Sequence, residues 1–350
     1  MGGQPTKLLA APTRWVPAAA YMLRGGMYQR AWASASEVAG ARQSLHVVQF
    51  NILADGLSGK HPSKGGFTEA PPGSLEWEYR RGLIMKELFR HCKPDVVAMQ
   101  EVDHYEWLSE RMAERGYEGT VLKKPDSACK GSLDPSLEDG CALFWRREFE
   151  RVEITTLGYR HGLRNKHTPS SSGSNQVALV AALRPPGAAS GPPLLFATTH
   201  LCAAKSSVGE TVRAQQMREL VEALQEVSSR LQAAGSVLML DMNASPPHGT
   251  MTYESEAYPL ATDEPSSGLR SAYKDVLGAE PAYTTWKRRG ESEVRHTIDY
   301  VLVSPRVRVH RVLQPPDPSG VDARRLPGWR YPSDHIALAA EISVLGALEC

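Results

Sequence analysis

The chain has 350 residues, with 40 Lys and Arg against 39 Asp and Glu; that is long enough for one large α/β domain, or two small ones, to bury a core without covalent staples. So even a balance supplies no global field toward nucleic acid or membrane, and any anion-binding surface has to be local. The five cysteines (Cys92, Cys129, Cys141, Cys202, Cys350) are odd in number and form no CxxC pair, which fits free thiols in a reducing compartment and excludes a disulfide scaffold.

In chain order, residues 1–44 come first as a leader: Lys7, Arg14, Arg24 and Arg30 precede the first acid, Glu37, and alanine and serine are frequent. This is the composition of a mitochondrial transit peptide. Met1-Gly2-Gly3-Gln4-Pro5-Thr6 offers a rival address, N-myristoylation with membrane association from the cytoplasm, and a disordered tail without any address is the plainest alternative. The apolar run from Trp15 to Leu23 contains Pro17 and is about half the length that crosses a bilayer.

From Leu45 onward, short β-rich apolar runs alternate with helical patterns, which predicts a single α/β domain over 45–350. Strands are expected at Leu45–Phe50, Val96–Met99, Ala142–Trp145, Val177–Leu183, Leu194–Thr198, Val237–Leu240, Thr297–Val303 and Ile336–Ile342. Helices are expected at Trp77–Cys92 and Gly209–Ala234, the second with Met217, Leu220, Val221, Leu224, Val227 and Leu231 on one stripe and Gly235 as its stop. The Pro/Gly/Ser-rich stretches Thr168–Gly173 and Pro185–Pro193 read as surface loops, and the proline-rich segment Gln314–Pro332 as a site wall.

Polar groups cluster where the apolar runs end: Asn51, Gln100-Glu101, His200, Asp241-Met242-Asn243, Asp299 and Ser333-Asp334-His335. Any one of these has a dull explanation, because strand ends meet water and a buried histidine usually just satisfies a carbonyl. Together they point to one shared site, since the edge of a sheet gathers its strand ends in space. Asp241 and Asn243 leave an extended backbone on the same face and can share one phosphate. Glu101 has no cationic partner nearby in sequence and suits Mg²⁺, with Mn²⁺ as a substitute, whereas no His/Cys spacing points to zinc. Phosphoester hydrolysis needs an activated water, charge relief on the phosphate and help for the departing oxygen, and these side chains can supply all three.

The runs QFNILADGL (Gln49–Leu57), MQEVDHY (Met99–Tyr105), THL (Thr199–Leu201), LDMNA (Leu240–Ala244), YTTWK (Tyr283–Lys287), RHTIDY (Arg295–Tyr300) and YPSDH (Tyr331–His335) stand in an order that resembles the endonuclease/exonuclease/phosphatase superfamily. Within it the chain is similar to the nocturnin branch, relatives of the carbon-catabolite-repressor-type deadenylases, over about residues 45 to 344. The resemblance implies a four-layer sandwich of two packed mixed β-sheets flanked by helices, with the site at one end. It places Glu101 on the metal with Asn51 beside metal and phosphate, and makes Asp241 the residue that positions or deprotonates the attacking water. Asn243 and His200 become donors to phosphate oxygens, His335 the histidine on the scissile phosphate and Asp299 the carboxylate orienting it, with Asp334 assisting the metal.

The same resemblance implies a monomer that removes the 2′-phosphate of NADP⁺ and NADPH, with 3′–5′ poly(A) hydrolysis as the alternative and an inactive RNA- or protein-binding scaffold as the third reading. Lys124 and Arg289 match the positions that grip the dinucleotide's phosphates, and Asn175 is grouped with them. The family tends to place a lysine directly after THL; here Cys202 stands there and the next basic residue is Lys205. A deadenylase would also need aromatic platforms and a basic track, for which Trp286 and Trp329 are the candidates nearest the motifs.

Overall fold

The computed structural model describes residues 26–35, 44–59, 66–163, 174–188, 191–263 and 267–344. The first 25 residues of the expected leader and the loop 168–173 lie outside the described residues. The strands, in chain order, are β1 (Trp32–Ser34), β2 (Leu45–Asn51), β3 (Val96–Gln100), β4 (Tyr117–Lys123), β5 (Gly140–Arg146), β6 (Glu150–Gly158), β7 (Val177–Arg184), β8 (Leu194–His200), β9 (Gly235–Asp241), β10 (Arg270–Ser271), β11 (Thr285–Arg289), β12 (Ser292–His296), β13 (Asp299–Val303), β14 (Val307–Leu313) and β15 (Leu338–Val344). The α-helices are α1 (Trp77–Arg90), α2 (Tyr105–Ala113), α3 (Ser207–Leu231), α4 (Ala257–Thr262) and α5 (Ala272–Leu277).

One sheet has the order β1-β14-β15-β2-β3-β5-β4 and the other β10-β13-β9-β8-β7-β6, while β11 and β12 form a separate hairpin. Both sheets are mixed: β2 runs parallel to β3 and β8 parallel to β9, with antiparallel pairing elsewhere. Strand periodicity explains how they stack, because successive side chains leave opposite faces. On β2, Leu45 and Val47 meet Phe196, Val237 and Met239 of the other sheet in a central core, while Val48 and Phe50 face outward against Ile84 and Leu88 of α1. On β9, Leu238 and Leu240 likewise turn away from the central core and pack on Met217, Leu220 and Leu224 of α3. Three apolar layers therefore separate four structural ones, helix, sheet, sheet and helix, as expected.

All eight expected strands form, and the expected stripe of α3 faces the sheet, with Leu231 only partly covered. Gly235 is not the helix stop. The helix ends at Gln232, whose φ of 51° places it in the left-handed region. Gly235 opens β9 instead, where an added Cβ would lie 2.8 Å from the Val307 side chain. The strands that sequence periodicity does not announce are β1, the outer strands β4 and β6, the short β10, the hairpin β11–β12 and the arginine-rich β14. Of these, the outer strands β4 and β6 and the hairpin β11–β12 carry Lys, Arg and Glu among their apolar residues, as edges and hairpins do when they avoid pairing with other chains.

Within the stretch expected as leader, residues 26–35 belong to the packed domain. β1 pairs with β14, Met27 and Tyr28 are buried, and the Arg30 guanidinium lies 2.5 Å from Glu87 of α1 with both side chains out of water. Arg30 also donates to the carbonyls of Leu313 and Ala337, so it ties the segment to α1, to β14 and to the residue before β15. No helix among the described residues is long and apolar enough to cross a membrane.

Removing one partner of a buried ion pair leaves the other charged and desolvated, which costs about 3–5 kcal/mol. Arg30→Ala is therefore expected to lower unfolding free energy in urea by roughly that amount, and Arg30→Met with Glu87→Leu to recover most of it. A loss below about 1 kcal/mol for the single change would show that this segment contributes little to the fold.

Candidate active site

The alternation that builds the central core also delivers the site. On β2, the inward parity of Leu45 and Val47 continues to Gln49 and Asn51; on β3, Val96 and Ala98 lead to Gln100. In the facing sheet Leu194 and Phe196 lead to Thr198 and His200, Val237 and Met239 to Asp241, and Val303 and Val301 back to Asp299. His200, Asp241 and Asp299 are direct neighbours across their strands, as are Asn51 and Gln100. The apolar interior thus gives way to a polar layer at one end of the sandwich.

Two residues reach this layer by leaving the strand geometry. Glu101 and Asn243 follow β3 and β9 with φ of 59° and 57°, a left-handed backbone that side chains other than glycine, asparagine and aspartate seldom adopt. Asn51 joins the sheets: its Nδ2 donates to Glu101 Oε1 at 3.1 Å and to Asp241 Oδ2 at 2.9 Å, while its Oδ1 accepts the N–H of Leu53. The other Glu101 oxygen accepts the N–H of Ala54, so the turn after β2 holds the carboxylate from both sides.

His335 reaches the layer from the irregular segment before β15, with Nδ1 at 2.9 Å from Asp299 Oδ2 and 3.8 Å from Asp241 Oδ2. Asp299 is further saturated by Thr284 Oγ1 at 2.6 Å and Gln49 Nε2 at 3.2 Å. His200 Nε2 lies 3.5 Å from Asp241 Oδ2, and its Nδ1 is buried without a hydrogen-bond partner. The Asp334 Oδ2 oxygen receives Lys287 Nζ at 2.5 Å, whereas Oδ1 is buried and has no partner.

The electrostatics follow from this crowding. Burial pushes the Asp241 carboxyl up, but the imidazoles of His200 and His335 and the Lys205 ammonium prevail and hold it below the usual carboxylate range. Burial together with the nearby Asp241 charge raises Asp299. Burial pulls His335 down, yet Asp299, Asp334 and Asp241 outweigh it and lift the imidazole to about 9. His200 goes the other way, lowered by burial and by Lys124. One histidine is therefore charged at neutral pH and the other neutral.

The proposed phosphate grips take different positions. Lys205 Nζ donates to Asn243 Oδ1 at 2.6 Å and to the Asn243 carbonyl at 3.1 Å; although much of the residue is exposed, desolvation of its ammonium lowers it to about 8. Lys124 Nζ sits 2.6 Å from Asp139; burial opposes its charge, but Asp139 and Glu101 raise its pKa. Arg289 stands at the site's rim, its guanidinium 4.4 Å from the Phe67 ring centroid and close enough to help depress Asp334. Asn175 is engaged elsewhere: its Oδ1 accepts the Asp126 N–H and its Nδ2 donates to the Asp126 carbonyl. It thereby fixes the turn that follows Lys124.

Several contributors were not singled out from sequence. Thr285 and Lys287, two apart on β11, both reach Asp334. Arg80 of α1 is wholly buried and donates to the carbonyls of Ile52, Leu53 and Pro332, bracing the segments that follow Asn51 and precede Asp334. Trp286, considered as a base platform, has Arg295 4.5 Å and Arg325 4.2 Å from its ring centroid and is 7% exposed. Trp329 packs edge-on against Tyr79.

Oxygen donors dominate the places a cation could occupy. Asp241, Asp299 and His335 bring one ligand atom each within 4.8 Å of one another, but Asp299 is already saturated by His335, Thr284 and Gln49. Asp334 Oδ1, unpartnered and buried, and the Glu101 carboxylate beside the Asn51 amide are the more open donors.

Residues 48–335 match the Endonuclease/Exonuclease/phosphatase family. The chain is 34% identical to nocturnin of Xenopus laevis, with 86% of the chain and 73% of that protein aligned. To nocturnin of Homo sapiens it is 33% identical, with 85% of the chain aligned to 65% of the relative, and it spans 47% of the Drosophila melanogaster nocturnin. Among solved structures, the human nocturnin catalytic domain with bound sulfate superposes with a TM-score of 0.67 at 29% identity, covering 90% of this chain and 97% of that one. ANGEL2, described as a 2′,3′-cyclic phosphatase, shares the fold at 19% identity and a TM-score of 0.67. A four-layer sandwich with its polar centre at one end, matched over most of its length, places this chain in the Endonuclease/Exonuclease/phosphatase family, in its nocturnin branch.

Proposed function

We propose that this chain is a divalent-cation-dependent phosphoester hydrolase and that the ester it cleaves is the 2′-phosphate of NADP⁺ and NADPH, yielding NAD⁺ and NADH. The observation that carries the hydrolytic reading is the Asn51 amide joining Glu101 to Asp241, which keeps a cation-type carboxylate and a base-type carboxylate at a fixed separation.

Glu101 and Asp334 would hold the cation, with the Asn51 side-chain oxygen beside them; a hard, oxygen-only donor set suits Mg²⁺ or Mn²⁺. When bound, such an ion relieves negative charge on the phosphate. Asp241, kept ionised by its imidazole neighbours, orients a water and accepts its proton. His335, kept protonated and aligned by Asp299, donates to a phosphate oxygen as charge develops there. His200 and Asn243 supply further polar contacts to the phosphate, and Ser333 steadies the His335 segment by donating to the Asn51 carbonyl while accepting the His335 N–H.

Preference for a terminal 2′-phosphate rests on the cations around the centre. Lys205, Lys124 and Arg289 approach from three different segments, and each charge-assisted contact contributes about 1.5–3 kcal/mol, enough to favour a doubly charged monoester. The second reading is 3′–5′ cleavage of poly(A). It draws on partial similarity to a relative named as a 3′–5′ exoribonuclease subunit, 30% identical over 34% of the chain. Against it stands the packing of Arg295 and Arg325 over the Trp286 ring, which occupies one expected base platform.

Incubation of the purified protein with Mg²⁺ and either NADPH or 5′-labelled oligo(A) separates the readings. Phosphate release from NADPH with intact oligo(A) is expected; shortened RNA without phosphate release would select the exoribonuclease, and inertness toward both would leave a binding scaffold. Glu101→Gln and Asp241→Asn should each reduce turnover by roughly 10³-fold or more with an unchanged melting profile. Near-normal turnover in either variant would remove these role assignments.

Lys205 supplies a pH dependence. Its pKa is lowered to about 8, so the free protein loses this cation as pH rises past that value, and kcat/KM should descend there. Lys205→Arg, charged throughout, should move the descending limb to higher pH. An identical limb in both proteins would assign it to another group.

A further inference from the structure

A cavity of about 520 Å³ opens beside the catalytic layer, walled by Ser245, Pro246, Pro247, Met251, Tyr253 and Pro259. It begins two residues beyond Asn243. Its far side is tied to the phosphate end as well: Arg213 donates to the Tyr253 hydroxyl and, from the same guanidinium, to the carbonyls of Cys202 and Ala204 in the segment that carries Lys205. At the rim, Thr250 is hydrogen-bonded to His296 at the end of β12. The cavity is therefore built from the continuations of two segments that present donors to phosphate.

Its chemistry differs from that of the centre. No lysine or arginine is among its lining residues, and its two acids are Glu210 and Glu254. Glu210 is committed, one oxygen accepting from the Glu256 and Ala257 N–H groups and the other from Arg213. The His248 imidazole is the one basic side chain in the lining. Proline rings, a thioether and a tyrosine ring form one part of the wall, and serine, threonine and glutamate side chains complete a cavity of the size that takes a small heteroaromatic molecule. Ser245, 3% exposed, has a hydroxyl with no partner in the protein, and an unmatched buried polar group of this kind is satisfied when a ligand supplies the missing partner.

We infer that this cavity is a subsite for the neutral heteroaromatic base of the nucleotide whose phosphate is held at Asn243 and Lys205. The inference rests on reading the centre as a nucleotide phosphoester hydrolase, and it adds where the substrate is gripped away from the reacting phosphorus. The base enters between the proline pair and Tyr253 and offers a ring nitrogen or amino group to Ser245. The substrate then spans from a cavity of mixed apolar and polar lining to a cationic, carboxylate-rich centre, so that base and phosphate are recognised by separate chemistries.

Adenosine, which carries no phosphate, is the probe. Its binding to the full chain is measured by saturation-transfer NMR, with Thr252→Trp as a variant that fills the cavity from an exposed rim position and Ser245→Ala as the second variant. NADPH and oligo(A) kinetics are read in parallel with p-nitrophenyl phosphate, which has no base. Thr252→Trp should weaken adenosine binding about tenfold and raise KM for the nucleotide substrate similarly, leaving p-nitrophenyl phosphate turnover unchanged; Ser245→Ala should weaken adenosine about threefold. Absence of adenosine binding to the unaltered chain, or equal binding to both it and Thr252→Trp, overturns the subsite. Adenosine binding lost on filling the cavity, in a protein that cleaves none of the phosphoesters, upholds the subsite and removes the hydrolase reading instead.

Discussion

The centre depends on one amide. Asn51 stands at the end of a strand in one sheet and donates both to Glu101 of that sheet and to Asp241 of the other. Two carboxylates so close repel in a medium that screens poorly. A donor shared between them offsets part of that repulsion without adding a charge. It also sets the spacing of the sheets at this end, since the apolar side chains that hold them apart elsewhere have stopped. Arg80 plays the supporting part from behind: its guanidinium gathers carbonyls from the turn after Asn51 and from Pro332, so the two segments that deliver Asn51 and Asp334 cannot drift independently.

The remaining charges are arranged in compensating pairs. Asp299 meets His335, Asp334 meets Lys287, and Asp139 meets Lys124. Burial makes each lone charge expensive, and pairing offsets that cost only when geometry is good and other hydrogen bonds complete the shell. Thr284 and Gln49 supply that completion for Asp299. The neighbouring Gln100 extends the lattice between sheets, accepting from Gln49 and donating to Thr198. What is left incomplete is informative. Asp334 Oδ1, His200 Nδ1 and Gln49 Oε1 are buried without hydrogen-bond partners, and of these Asp334 and His200 are the groups suited to meet ligand atoms.

Much of this was legible in sequence because one period governs both core and site. Apolar residues at alternate positions declare the inward face, and the polar residues that continue the same parity, Asn51, His200 and Asp241, have to lie in the seam between sheets. Asp299 follows the same rule from the opposite strand end. Less was legible where the chain leaves that period. His335 reaches the seam from an irregular segment, and Glu101 and Asn243 require left-handed backbone; the extended backbone expected through Asp241 and Asn243 ends at Asp241, because the strand stops there and Asn243 turns out of it. Lys287 and Arg80 could not be distinguished from ordinary basic residues, since their meaning lies in what surrounds them in space. Asn175, grouped with the phosphate grips, fastens the turn at Asp126 that follows Lys124. The stretch 26–35 hides its role because Arg30, read as part of a basic leader, finds its acid only in Glu87 of a distant helix.

The segment after His200 shows how a buried arginine fixes the backbone that carries a neighbouring cation. The family's lysine position holds Cys202, a buried residue whose N–H is received by Gln216, and the next cation comes three residues later. Arg213, buried on α3 and paired with Glu210, holds the carbonyls of Cys202 and Ala204, so the segment forms a braced turn. Its product is an ammonium group resting on Asn243, beside the ionised Asp241. A buried charge on α3, eleven positions beyond Cys202, thus fixes the backbone that places a second charge on Asn243.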